Sequence, residues 1–275
     1  MSGLEDWTGR VGREWADKAD AMDGLLGPVG AAGIDALGDV RGQRVLDLGC
    51  GAGDTAFALA DAGAQVTGLD VSGDLLAVAR GQDTAQRIDW VHDDAARHEF
   101  DVPFDALHSR CGAMFFDAPE QAWGHLHAQM KPGGKLSVTC WREAALNGWV
   151  TVPLVAARPV LGKDVTRPPS LSGPGPFGWA DPEYFAPLLR DAGWQDVQWQ
   201  AVDRPARIAT GNDPDPVVRA VAFVMRIGTL ASRLRQVDPD TRARVAAALT
   251  EAFSPLVRDG YVEVPTAGWC ITAKA

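Results

Sequence analysis

Apolar residues recur at three- and four-residue intervals from Trp7 through Val11, Trp15, Ala19 and Met22, the spacing of an amphipathic helix that buries one face. A second helix is predicted around 29–40. The period then changes. Short apolar runs near 43–48, 64–70, 88–91, 104–110 and 134–141 read as buried strands, and segments of helical spacing near 54–62, 73–80 and 118–130 lie between them. Strands alternating with helices predict a doubly wound α/β protein with a parallel sheet covered on both faces. Asp117 and Pro119 supply the cap and early proline of the third of these helices.

Beyond 148 the prolines multiply, with Pro153, Pro159, Pro168, Pro169, Pro174, Pro176 and Pro182 among several glycines, so 148–182 is expected to be a loop or lid. Asp181-Pro182 opens a helix to about 192, and Val197, Trp199 and Ala201 alternate with glutamines as a sixth strand would. Asp213-Pro214-Asp215-Pro216 and Asp238-Pro239 each start an amphipathic helix, a predicted hairpin inserted before the last strand signal at Gly268–Ala273. The expected division is 1–42 for N-terminal helices, 43–204 with 261–275 for the sheet domain, and 205–260 for a helical cap over the open edge of the ligand crevice.

The first strand runs into the most informative segment, Val45-Leu46-Asp47-Leu48-Gly49-Cys50-Gly51-Ala52-Gly53-Asp54. Glycines at 49, 51 and 53 let the chain turn sharply and let a ligand lie against the main chain, the design of a nucleotide-type site at a strand-to-helix turn. The dinucleotide fingerprint G-x-G-x-x-G needs glycine where Asp54 stands. Asp47 and Asp54 flank the turn, a poor setting for pyrophosphate and a good one for a ligand with a sulfonium and an ammonium, such as S-adenosylmethionine. The next strand, Val66–Asp70, ends in an acid placed to meet both ribose hydroxyls. The competing role for Asp70 is a helix N-cap, for which Ser72 is also available.

Here the chain resembles the class I S-adenosylmethionine-dependent methyltransferases. Ile88–Ala95 is similar to that family's third strand and adenine loop, Phe104–Arg110 to its fourth strand, and Met130–Leu136 to its helix-to-fifth-strand turn. Ser109–Phe116 and Cys140-Trp141-Arg142 resemble the ubiquinone-biosynthesis-like, small-molecule branch (methyltransferase type 11). The resemblance covers roughly 43–141 and implies a Rossmann-like, seven-stranded, mostly parallel sheet whose last strand lies antiparallel between strands five and six. It also implies donor-site roles for Asp47, Gly49, Cys50, Gly51, Gly53, Asp70, Val71, Asp94, Ala95 and Ser109, with Asp47 near the methionine ammonium, Asp94 on the adenine amine and Asp93 as its rival. The product would be S-adenosyl-L-homocysteine.

The acceptor is less legible. A hydroxyl acceptor profits from a base, whereas a thiol, an unprotonated amine or a stabilised carbanion needs none. His108, beside Ser109 and Arg110 near the exit of the fourth strand, is the candidate base, with a buried hydrogen-bonded histidine as the alternative. Trp15, Met114, Phe115, Trp141, Trp149 and Phe177 are the candidate aromatic acceptor pocket, against the alternative that such residues close the core. Trp7 and Trp15 pose the same choice between closing over the donor and packing on the sheet.

Composition narrows the partners. The 275-residue chain carries a formal charge of −10, which opposes a phosphate-backbone substrate, so no nucleic acid is expected. No apolar run is long enough for a membrane span and no signal-peptide core follows the N-terminus, so the expected location is cytoplasmic. Cys50, Cys111, Cys140 and Cys270 form no C-x-x-C pair, and His125 and His127 face different sides of a helix, so no metal site is expected. The reading is a methyltransferase acting on a small-molecule acceptor. The alternatives are a noncatalytic S-adenosylmethionine-binding protein and an NAD(P)-dependent oxidoreductase; the acceptor atom and the oligomeric state stay open.

Overall fold

Five strands form where the apolar runs fall: β1 (Arg44–Leu48), β2 (Gln65–Asp70), β3 (Ile88–His92), β4 (Phe104–Arg110) and β5 (Met130–Trp141). The structure is a computed structural model and describes residues 7–164, 166, 173–209 and 211–275. Residues 1–6 of the expected N-terminal segment, and Pro168 and Pro169 of the expected lid, lie outside the described residues. β1 to β5 are mutually parallel, with Val45 opposite Val66 on one side and Ala106 on the other. β6 (Gln195–Ile208) and β8 (Tyr261–Lys274) complete the sheet in the order β3-β2-β1-β4-β5-β8-β6, and a two-residue β7 (Val257–Arg258) pairs with β8. As the resemblance implied, β8 runs antiparallel between β5 and β6.

Helices cover both faces. α3 (Asp54–Asp61), α4 (Gly73–Gln82) and α5 (Pro119–Ala128) sit where the periodicity places them. The N-terminal region divides differently from expectation, because the chain breaks at Asp17–Lys18 into α1 (Arg10–Ala16) and a long α2 (Ala19–Leu37). α2 runs through Pro28 and lies across β4, β5, β6 and β8. Proline removes one helical hydrogen bond, a loss that burial of the helix on the sheet offsets.

The expected loop or lid at 148–182 is largely helical: α6 (Gly148–Leu161) carries Pro153 and Pro159 inside it and buries Val150, Pro153, Leu154 and Ala157. α7 (Pro182–Asp191) follows, its N-terminus capped by Asp181 accepting from the Glu183 amide at 2.9 Å. The predicted hairpin is three helices, α8 (Pro216–Val224), α9 (Thr229–Leu234) and α10 (Pro239–Phe253), because Gly228 turns the chain at φ 89°. β6 continues to Ile208, past the expected boundary at 204, since the two long strands β6 and β8 pair along most of their length. α10 packs on α6 and α8, and α8 on β8, so the inserted helices brace this hairpin.

The larger core fills the space around β4, β5, β8 and the helices from α5 onward; a smaller one, including Leu37, Val45, Leu59, Val66 and Ile88, lies beneath α3. Trp123 of α5 is fully buried and makes ring contacts with Phe116 at 6.1 Å, Trp179 at 5.2 Å and Trp194 at 6.2 Å. No helix among the described residues is long and apolar enough to cross a membrane. Trp123→Ala would leave an unfilled volume between α5, α7 and the sheet. We expect it to lower unfolding stability by about 3–5 kcal/mol in urea titrations.

Candidate functional site

The strand order reverses direction between β1 and β4, and in open parallel sheets the crevice forms beyond the carboxyl ends of strands at that point. A cavity of about 310 Å³ lies there. One wall is the loops leaving four strands: Gly49, Cys50, Gly51 and Ala52 after β1, Asp70 and Val71 at β2, Asp93 to Ala96 after β3, and Arg110 to Gly112 at β4. The other wall is Trp7, Trp15, Ala19, Met22 and Leu26 from the N-terminal helices, with Phe115 and Phe116 beside them.

The turn after β1 has left-handed backbone at Gly49 and Gly51, φ 65° and 56°, values that L side chains rarely adopt. It is tied to β2, because the Gly49 and Cys50 amides donate to the Leu69 carbonyl at 2.8 and 3.2 Å. Asp70 closes the frame. Its Oδ2 accepts from the Gly51 amide at 2.7 Å and its Oδ1 from the Ser72 amide at 2.8 Å. Ser72 is the N-cap of α4, its hydroxyl accepting from the Leu75 amide. Burial raises the Asp70 carboxyl above the ordinary carboxylate range, against the lowering effect of those amides.

Asp47 lies beneath the turn rather than on the cavity surface. Its Oδ2 accepts from the Thr55 hydroxyl at 2.6 Å, while its Oδ1 is buried with no partner among the described residues. Burial pushes this carboxyl up to about 7. After β3 the two neighbouring acids separate by role. Asp93 accepts the Asp94 amide and bonds the His98 ring at 2.7 Å, whereas Asp94 accepts the Ala96 amide at 3.0 Å. Both line the cavity, as do Val71 and Ala95.

Several expected site residues stand elsewhere. Gly53 does not line the cavity; a Cβ there would meet Trp90 at 2.8 Å and Phe57 at 3.0 Å, so its smallness lets α3 approach β3. Ser109 points to the face opposite Arg110, and its hydroxyl donates to the Leu48 carbonyl at 2.9 Å. His108 is fully buried and shares the face of Arg110, but two residues back along the strand, under α2, where a Cβ on Gly33 would meet its Cε1 at 2.7 Å. Burial holds its ring at about 3, neutral and without a partner for either nitrogen. It does not reach the cavity, which removes the ground for a catalytic role.

Of the expected acceptor pocket, Trp15 and Phe115 line the cavity. Met114 is buried beneath it. Trp141, Trp149 and Phe177 stack in series, at 5.5 and 5.7 Å, and fill the junction of β5 and α6. No described residue of 205–260 lines the cavity, so α8, α9 and α10 stand away from it. The roof is N-terminal: Trp7 meets Trp15 at 5.0 Å and Phe115 at 5.2 Å, edge to face.

Sequence reasoning missed Arg110 as a site residue. It lines the cavity and bridges Asp23 of α2 at 2.6 Å and Asp54 of α3 at 2.9 Å. The signal was present, since Arg110 is two positions beyond His108 and so on the same face at the strand exit. Cys111 follows it in left-handed backbone, φ 58°, also on the cavity wall, and burial pushes its thiol up to about 12. No cluster of three or more metal-binding side chains occurs among the described residues.

The methyltransferase-domain family matches residues 45–134, which span the four cavity-forming loops. A demethylmenaquinone methyltransferase of Renibacterium salmoninarum is 33% identical over 174 residues, covering 61% of this chain and 73% of the relative. The chain belongs to the class I S-adenosylmethionine-dependent methyltransferases. Within them it falls in the ubiquinone-biosynthesis-like branch. An uncharacterised protein of Mycobacterium tuberculosis is 30% identical over 182 residues, 64% of each chain. The phosphoethanolamine N-methyltransferase 2 of Haemonchus contortus, solved in complex with S-adenosyl-L-methionine, shares the fold with a TM-score of 0.53 and 18% identity, covering 100% of this chain and 60% of that one.

Asp47 generates a test of this methyltransferase's site without ligand. Between the unfolded carboxyl value of about 3.9 and the folded value of about 7, the folded state keeps a proton that the unfolded state releases. The stability Asp47 contributes is therefore complete below about pH 4 and lost as pH rises towards 7. Asp47→Asn, neutral throughout, should gain on the native protein as pH increases from 4 to 8 in urea midpoints. A constant difference across that range would contradict it.

Proposed function

We propose that this cavity binds S-adenosylmethionine and presents its methyl group to a small apolar or aromatic acceptor held against Trp7, Trp15, Phe115 and Phe116. The observation that carries the proposal is the charge of the cavity lining: Asp54, Asp70, Asp93, Asp94 and Asp117 against Arg110 as the sole cationic side chain among the described lining residues. Such a wall favours a ligand bearing a sulfonium and an ammonium and opposes the pyrophosphate of a dinucleotide. The unpartnered Asp47 Oδ1 beneath the turn suits the same ligand, through water, at its ammonium. When bound, the donor supplies a methyl carbon already activated by its sulfonium leaving group.

The remaining roles follow from the frame. Each Asp70 oxygen takes one backbone amide and keeps lone pairs for the ribose hydroxyls. Asp94, with Ala95 beside it, is assigned to the adenine end, because its pair with the exposed Arg97 at 3.4 Å is looser than the 2.7 Å bond that holds Asp93 to His98. Gly49, Cys50 and Gly51 form the floor. Gly53 and Ser109 act at one remove, by letting the turn and its strand pack.

None of the five histidines lines the cavity, and neither does any lysine or tyrosine among the described residues. The protein's main part is therefore to align donor and acceptor and to exclude water, and the lining carboxylates are the groups left to take a proton. The Renibacterium relative, named for demethylmenaquinone, makes that compound the first acceptor to try.

Calorimetry with S-adenosylhomocysteine should show binding, weakened about tenfold or more in Asp70→Asn, as expected for loss of hydrogen bonds to a charged group. Undiminished binding in the variant would remove the ribose assignment, and binding of NADH in its place would reopen the oxidoreductase. With an acceptor in hand, His108→Gln should leave kcat within about twofold and the shape of its pH profile unchanged. An inflection lost in that variant would restore His108 as the base.

A further inference from the structure

Arg110 is half of an arrangement that the donor site alone does not require. Its side chain is 10% exposed and ion-paired on two sides, with Asp54 in the first turn of α3 and with Asp23 on α2. Two glycines of α2 make the bridge fit. A Cβ on Gly30 would come within 2.4 Å of the Arg110 Cδ, and one on Gly27 within 3.3 Å of the Asp23 Oδ1. The turn of α2 that carries Asp23 also carries Met22 and Leu26 into the cavity roof. The other support of the roof is steric: a Cβ on Gly12 of α1 would meet the Ser72 Oγ at 2.5 Å.

We propose that Arg110 is a positioning residue whose ion pair with Asp23 fastens the first turns of α2 over the cavity, and that ligands enter and leave when this pair breaks. The proposal rests on the reading of the cavity as the donor site. Asymmetric exposure decides which pair yields. Asp23 is 51% exposed, so water readily replaces the guanidinium there. Asp54 is 35% exposed and belongs to the turn that the β1–β2 frame holds, so it keeps Arg110 in place while only the first turns of α2, with α1, swing away from the cavity.

The roof carries Trp7 and Trp15, so intrinsic fluorescence in a stopped-flow instrument reports S-adenosylhomocysteine association and release. In Asp23→Ala both rate constants should rise, by about threefold, with the ratio that defines Kd changed less than about twofold. Asp23→Glu should restore native rates. Raising salt from about 0.05 to 0.5 M should accelerate exchange in the native protein and not in Asp23→Ala. Unchanged rates in Asp23→Ala, or faster release with unaltered association, would overturn the fastening, the latter because it marks a lost binding contact. Failure of the native protein to bind at all would instead overturn the donor-site reading, a result separable by calorimetry before any variant is made.

Discussion

The cavity depends on how closely α2 lies against the sheet. Gly24, Gly27, Gly30 and Gly33 recur every three residues along this helix, and each glycine in a helix interior costs about 1 kcal/mol relative to alanine. What the cost obtains is proximity. Gly24 approaches the Arg207 carbonyl, Gly30 the stem of Arg110, and Gly33 the ring of His108 and the methyl of Thr139. A helix of bulkier residues would stand off the strands, and Met22 and Leu26 would no longer roof the crevice.

The same contact explains the electrostatics. An arginine at the exit of β4 lies between α2 and the glycine turn only because α2 leaves a channel for it. Burial alone would favour a neutral guanidine, yet Asp23 and Asp54 raise the Arg110 pKa above its ordinary value. Its charge is spent on those two carboxylates, so the acids at the mouth of the glycine turn keep the character that suits a cationic ligand. His108, two residues deeper on the same face, experiences that cation and the absence of water together, which is why it stays neutral.

Much of this was legible in the chain because local rules and tertiary demand coincide along residues 43–141. Strand-like runs, the turn at Gly49 and Gly51, and the acid ending β2 are each dictated by backbone geometry at that position, so their placement survives folding unchanged. The failures share a different cause. Prolines 153 and 159 signal a loop locally, but the apolar face of α6 found a partner in α10, and burial outweighed two lost hydrogen bonds. His108 and Ser109 are adjacent in sequence and face opposite sides of a strand, a distinction that depends on register and not on composition. Trp141, Trp149 and Phe177 could have lined an acceptor pocket or a core junction, and only the packing of β5 on α6 decides between them.

The displaced cap has the largest consequence for specificity. An insertion before the last strand suggested a cover for the crevice, yet β6 and β8 extend so far beyond the parallel strands that their exposed hairpin itself needs bracing. α8 to α10 supply that bracing and stay away from the ligand wall. The cavity wall facing the glycine turn is thereby left to residues before β1 and after β4, among them Trp7, Trp15, Phe115 and Phe116, with Arg110 beside them. Two segments distant in sequence meet across one cavity, one before β1 and the other at the exit of β4. On the proposed function, discrimination between acceptors depends on how well a molecule fills the gap between these two walls. Shape and apolar surface decide that fit more than any single polar contact.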